Sequence, residues 1–169
     1  MAHVTKSPVA EQSKAEVYQD VIKDILAVLE GEPNRVARMA TIVCLLTEAF
    51  PDWFWTGFYG VDPVKKAAGA DELVVGPYKG TLGCLRIAFG RGVCGAAAAT
   101  KTTQIVPDVH AFPGHIACDS RSNSEIVVPV LDATGEVIAV FDVDSESYGA
   151  FDEVDAENLE KLMKAVFSV

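Results

Sequence analysis

Residues 125–145 read "EIVVPVLDATGEVIAVFDVDS": two runs rich in β-branched and apolar residues around the polar break Asp132–Gly135. The runs predict two strands and the break a tight turn between them. Successive side chains on a strand alternate faces, so Asp142 and Asp144 share one face. If the turn centres between Ala133 and Thr134, Glu125 lies opposite Asp142. If it centres between Thr134 and Gly135, Glu125 lies opposite Asp144. In both registers three carboxylates gather at one end of the hairpin. Like charges placed opposite each other destabilise a sheet, and crowded carboxylates tend to keep a proton. The plain alternative is a solvated strand end, and a slip of one residue would part the acids.

Working outward, Asp152 caps a closing helix with Leu159, Leu162, Met163 and Val166 on one side. At the other end, Val17, Val21, Ile25 and Val28/Leu29 recur at helical spacing and predict a helix over about residues 13–30. Gly31 and Pro33 stop it. Asn34 caps a second helix with Val36, Met39/Ala40, Val43 and Thr47/Phe50 facing inward. After Pro51 the period becomes two. "WFWTGFYGV", "LVVGPYK", "CLRIAF" and "TTQIVP" read as strands, with "DPVKKAAGADE" as a loop and "GVCGAAAATK" as a short helix. A long loop runs from Asp108 to Asn123, and ordered loops of such length are often functional. The fold class is α+β, an antiparallel sheet with helices packed mainly on one face. Residues 1–12 read as a flexible tail and 13–169 as a single domain.

The chain has 169 residues, half of them apolar, enough for one domain with a full core. No apolar run is long enough to span a membrane, and "MAHVTKSPVAEQ" lacks the apolar core of a signal peptide. The expected compartment is the cytoplasm, where thiols stay reduced. A net charge of −10 repels phosphate backbones and argues against nucleic acid. "GRGVCG" has neither the spacing nor the lysine of a nucleotide loop.

Four cysteines, Cys44, Cys84, Cys94 and Cys118, form no C-x-x-C pair. Cys44 lies on the edge of a helical apolar face and reads as a packed core residue. Cys44→Ser is therefore expected to lower stability more than turnover. Cys94 starts a helix, where unpaired N–H groups lower a thiol pKa, and Arg91 is close. Cys118 lies in a polar segment with His115, Asp119, Arg121 and Glu125. On physical grounds either thiol is a candidate thiolate. Trp55 and Tyr59 share a strand face, as core aromatics or as a ligand wall. A zinc site from His110, His115, Cys118 and Cys94 or Cys84 fits no ordinary ligand spacing, so no metal is expected. A Cys-His hydrolase using Cys118 with His110 or His115 leaves Cys84 and Cys94 unexplained.

"WTGFY", "GRGVCG", "DVHAFPGHIACD", "SNSEIVVPV" and "FDVDS…FDEVD" together resemble the free methionine-(R)-sulfoxide reductases, single-domain members of the GAF superfamily. The resemblance runs from about Trp53 to the C-terminus. It implies a six-stranded antiparallel sheet, a homodimer, no cofactor, and reduction of free methionine-R-sulfoxide with thioredoxin as reductant. It also maps the attacking thiol to Cys118 and the resolving or recycling thiols to Cys84 and Cys94. Glu125, Asp142 and Asp144 become substrate-binding and proton-supplying acids, and Trp55 and Tyr59 line the pocket. The other reading of such a domain is a small-molecule sensor without turnover.

Overall fold

The turn at Asp132 sets the register of the molecule. In the computed structural model, which describes residues 11–169, the Asp132 carboxylate accepts from the N–H groups of Thr134 and Glu136 and from the Thr134 hydroxyl. Gly135 supplies the positive φ of 82° that the turn requires. Strands β5 (Ser124–Leu131) and β6 (Val137–Ser145) leave this turn antiparallel, with one irregularity between Val130 and Leu131. Beyond it Glu125 pairs with Asp144 and Val127 with Asp142. Of the two registers the sequence allows, this is the one centred between Thr134 and Gly135.

β6 also pairs with β1 (Trp55–Val61), followed outward by β2 (Glu72–Lys79) and β3 (Arg86–Ala88); β4 (Gln104–Val106) flanks β5. All five pairings are antiparallel, giving the order β3-β2-β1-β6-β5-β4. Ile126, Val128, Val130, Ala139, Phe141 and Val143 line one face. Helices α1 (Lys14–Val28) and α2 (Arg35–Ala49) cover that face with the last helix, Glu153–Phe167. Asn34 caps the second and Asp152 the last, as expected, and Ser13 caps the first. The Tyr18 hydroxyl, buried under α1, donates to Asp155 of the last helix at 2.7 Å.

The other face carries Trp55, Tyr59, Val127 and Val140 under a short helix at Gly92–Thr100. One small helix and the loops around it cover this face less fully than three long helices cover the first. The opening left there holds the acidic end of the hairpin.

Several details depart from the sequence reading, among them Val36 of α2, expected to face inward and 63% exposed. The loop "DPVKKAAGADE" contains a five-residue helix, α3 (Pro63–Ala67), because Asp62 accepts from the N–H groups of Val64 and Lys65 behind Pro63. By chain order the Gly92–Thr100 helix is then α4 and the last is α5. β3 starts at Arg86, so Cys84 belongs to the connection before it rather than to the strand. Cys44 is exposed, not core, since the apolar stripe of α2 turns away one position before it. Of the expected tail, residues 1–10 lie outside the described residues, and Gln12 precedes the Ser13 cap. Among the described residues no helix is long and apolar enough to cross a membrane.

Candidate active site

Strand register brings the site together. Asp144 stands between Trp55 of β1 and Glu125 of β5, and Asp142 stands between Gly57 and Val127. Gly57 is the residue that makes room for the aromatic wall: a Cβ there would lie 2.7 Å from the Trp55 ring and 2.3 Å from Tyr78 Cβ. Without it the indole stacks between Tyr59 and Tyr78, with centroids at 5.6 and 5.1 Å. The Trp55 Nε1–H donates to the Thr81 carbonyl at 3.0 Å, which fixes the plane of the ring. Trp55 and Tyr59 are thus both packed residues and walls of one cavity.

That cavity is small and opens to solvent on one side. Glu125, Asp142 and Asp144 form its floor, Cys94 and Arg91 one side, and Cys118, His115 and Asp119 the side nearest solvent. Glu125 and Asp142 are 6% and 5% exposed. Burial first, then the neighbouring carboxylates, raises the pKa of each well above the ordinary range. Burial pushes Asp144 up to about 7, although a hydrogen bond with Ser122 pulls the other way. The floor is therefore a group of acids that share protons at neutral pH.

The thiols divide sharply. Cys84 and Cys118 are joined in a disulfide, Cα to Cα 5.7 Å, across 34 residues of sequence. Cys118 is exposed and Cys84 half-buried, so the bond lies at the edge of the cavity. Cys94 is 4% exposed. The expectation that its helix terminus makes it acidic is corrected: burial, followed by the charges of Asp142 and Glu125, pushes its thiol well above the usual range. A helix N-terminus offers about half a unit charge, which two facing carboxylates and desolvation outweigh.

The loop carrying Cys118 is tied down beside the bond as well. Thr81 Oγ1 donates to Asp119 at 2.9 Å, Arg121 pairs with Asp119 at 3.0 Å, and the Arg121 guanidinium lies over the Phe54 ring at 4.7 Å. His115 Nε2 stands 3.8 Å from Glu125 Oε2, and burial holds its imidazole pKa below the ordinary value. His110 hydrogen-bonds Asn123 and does not line the cavity. The zinc set weighed from sequence therefore does not assemble, and Cys118 has a thiol partner rather than a histidine.

The geometry unites every residue singled out for the site: Trp55, Tyr59, Cys84, Cys94, Cys118, Glu125, Asp142 and Asp144. Cys84 abuts the cavity's Thr81–Gly83 wall, and the other seven line it directly. Thr81, Ser122 and Phe54 were not legible in advance, since each acts on a partner through side-chain reach that no spacing encodes.

Residues 35–166 match the GAF domain family. The chain is 41% identical over 158 residues to the free methionine-R-sulfoxide reductase of Saccharomyces cerevisiae, covering 91% of this chain and 86% of the relative. It is 42% identical over 151 residues to the enzyme of that name from Escherichia coli, with coverages of 89% and 87%. The X-ray structure of free methionine-R-sulfoxide reductase from Neisseria meningitidis in complex with its substrate superposes with a TM-score of 0.85. It is 46% identical, with 98% of this chain and 93% of that one covered.

The chain belongs to the free methionine-R-sulfoxide reductase family of GAF domains. The GAF match begins at the first residue of α2, whereas the free methionine-R-sulfoxide reductases align over nine-tenths of the chain and so include part of α1. The six-stranded antiparallel sheet expected from the resemblance is the sheet observed. Helices do pack mainly on one face, with α4 alone on the face of the site.

Exposure of Cys44 reverses the stability expectation for that residue. Cys44→Ser should leave stability within about 0.5 kcal/mol of the parent, as for ordinary surface substitutions. Urea unfolding midpoints of the two proteins check this; a loss of several kcal/mol would return Cys44 to the core.

Proposed function

We propose that the chain reduces free methionine-R-sulfoxide to methionine, with Cys118 as attacking thiol and Cys84 as resolving thiol. The observation that carries this reading is the Cys84–Cys118 disulfide beside a cavity floored by three carboxylates. Each carboxylate has a use. The sulfoxide oxygen is a poor leaving group and must be protonated as sulfur is attacked. Asp144, with a pKa near 7, holds a proton that it can deliver at neutral pH. The three acids share protons, and one of them, ionised beside the bound substrate, offers the anion that its ammonium group needs. Trp55 and Tyr59 wall the apolar end of the substrate.

The steps balance. The Cys118 thiol takes the oxygen, giving methionine and a Cys118 sulfenic acid. The Cys84 thiol condenses with it, forming the disulfide and releasing water. An external dithiol then exchanges with the disulfide, returning two thiols and leaving as its own disulfide. Thioredoxin is the proposed reductant, the cytoplasm the proposed compartment and a homodimer the proposed assembly; the resemblance supports the reductant and the assembly, and the sequence reading the compartment. Light scattering of the purified protein reads the last, with a mass of twice 18.0 kDa expected. Cys94, buried beside the acids of the floor, acts in this reading through contact with substrate and acids rather than as an attacking thiolate.

The deciding assay follows loss of free methionine sulfoxide with dithiothreitol, using separated R and S forms and an N-acetylated, amidated control. Turnover of the free R form alone is expected. Binding without turnover would establish the sensor reading instead.

Asp144 also sets a pH dependence. Protonated Asp144 is the donor, so kcat/KM should fall about tenfold per pH unit above pH 7 as this one proton is lost. Asp144→Asn should abolish that limb. Stability has a matching sign: the folded pKa of about 7 exceeds the ordinary 3.8. The folded state therefore binds the extra proton between these values, and stability from this group is complete below about pH 4 and lost as pH rises through 7. Thermal melts of the parent and Asp144→Asn between pH 4 and 8 should diverge accordingly; parallel curves would place the titration elsewhere.

A further inference from the structure

We infer that Cys94, Glu125 and Asp142 form a binding site for one thiophilic divalent cation, of the Zn²⁺ or Cd²⁺ class, and that the bound ion blocks the substrate cavity. A sulfur and one carboxylate oxygen from each acid lie within 4.8 Å of one another. In a tetrahedral zinc site, bonds of about 2.3 Å to sulfur and 2.0–2.2 Å to oxygen put ligand atoms about 3.5 Å apart. Contraction of about an ångström around an ion reaches that spacing. The three residues stand on α4, β5 and β6, so the frame that holds them is regular structure.

A second observation points to a ligand. Asp142 is 5% exposed and lines the cavity, and among the described residues no donor from outside the cluster reaches its buried Oδ1; its hydrogen-bond contacts are Cys94 and Glu125, the other two ligands. With the thiol and both acids deprotonated no donor is left for that oxygen, which is costly, and a cation satisfies it. The donor set selects the class: thiolate favours zinc and cadmium, whereas magnesium and calcium prefer oxygen alone. Three protein ligands leave a fourth position. His115 Nε2, 3.8 Å from Glu125 Oε2, is placed to take it or to leave it to water.

The disulfide makes the test clean. In oxidised protein Cys84 and Cys118 are joined, and Cys44→Ser removes the exposed thiol. Cys94 is then the single free thiol. Titrating this protein with Cd²⁺ should produce the ultraviolet thiolate-to-cadmium charge-transfer band, saturating at about one equivalent. Cys94→Ala should abolish the band, and Asp142→Asn should weaken binding by about tenfold or more, since even indirect metal partners are worth that much. No band at one equivalent, a band that survives Cys94→Ala, or binding indifferent to Asp142→Asn overturns the site. Should Cys94→Ala not fold, the Asp142→Asn titration decides alone.

The blocking half rests on the proposed reductase function. With reduced enzyme, Zn²⁺ should compete with methionine sulfoxide, EDTA should restore the rate, and Mg²⁺ should have no effect. Cadmium binding without inhibition by zinc overturns the block and leaves the site. An enzyme that turns over no sulfoxide at all would sink the function while leaving the cadmium titration to be read unchanged.

Discussion

Cys118→Ser should form no methionine in a single turnover without reductant, while Cys84→Ser should form about one equivalent per enzyme and then stop. The division follows from position. Cys118 is carried on the exposed loop at the cavity mouth, seven residues ahead of Glu125, and can reach a sulfoxide held over the acids. Cys84 is held by the connection before β3, where it meets Cys118. Without Cys84 the Cys118 sulfenic acid lacks the thiol that Cys118 is bonded to here, so the Cys84–Cys118 disulfide cannot form for thioredoxin to exchange with. Cys94→Ser should still yield about one equivalent, because a buried thiol beside carboxylates ionises poorly. Methionine counted by chromatography after mixing reduced enzyme with excess substrate gives the answer. A full equivalent from Cys118→Ser with none from Cys94→Ser would hand the attack to Cys94.

Much of this arrangement was legible in the sequence because strands convert spacing into position. Asp142 and Asp144 two apart, and Trp55 and Tyr59 four apart, had to share faces. What spacing could not decide was register: one residue in the Asp132–Gly135 turn separates Glu125 opposite Asp142 from Glu125 opposite Asp144. The turn tied to Asp132 pairs Leu131 with Val137, and the irregularity between Val130 and Leu131 then sets Glu125 opposite Asp144. Cysteine chemistry was harder to read, for a related reason. The helix terminus at Cys94 is visible locally, but the acids that overrule it come from β5 and β6, more than thirty residues away. Cys44 failed in the opposite direction, since a stripe edge on α2 can fall on either side of the surface. The resemblance left both Cys84 and Cys94 as resolving or recycling thiols, and no local pattern singles out Cys84 as the partner of Cys118, 34 residues away.

Glu125→Gln is expected to reduce kcat/KM by about 10²–10⁴-fold, the usual worth of a positioned acid or base, while leaving the protein folded and no less stable. The two effects have one cause. Glu125 sits 6% exposed, opposite Asp144 and beside Asp142, and burial and those two carboxylates all work against its ionised form. An uncharged amide of the same shape removes part of that crowding, so the unliganded protein gains what the site loses, a trade common where function requires strained electrostatics. Asp144→Asn should cost activity on the same scale, but with a different signature, since it alone should remove the basic limb of the pH profile. Chemical denaturation and steady-state kinetics on the same preparations separate the outcomes. Near-normal turnover in both variants would take the carboxylates out of the mechanism. A Glu125→Gln protein both inactive and much less stable would mean that the glutamate serves the fold, and that the crowded floor is a structural feature rather than a site for protons.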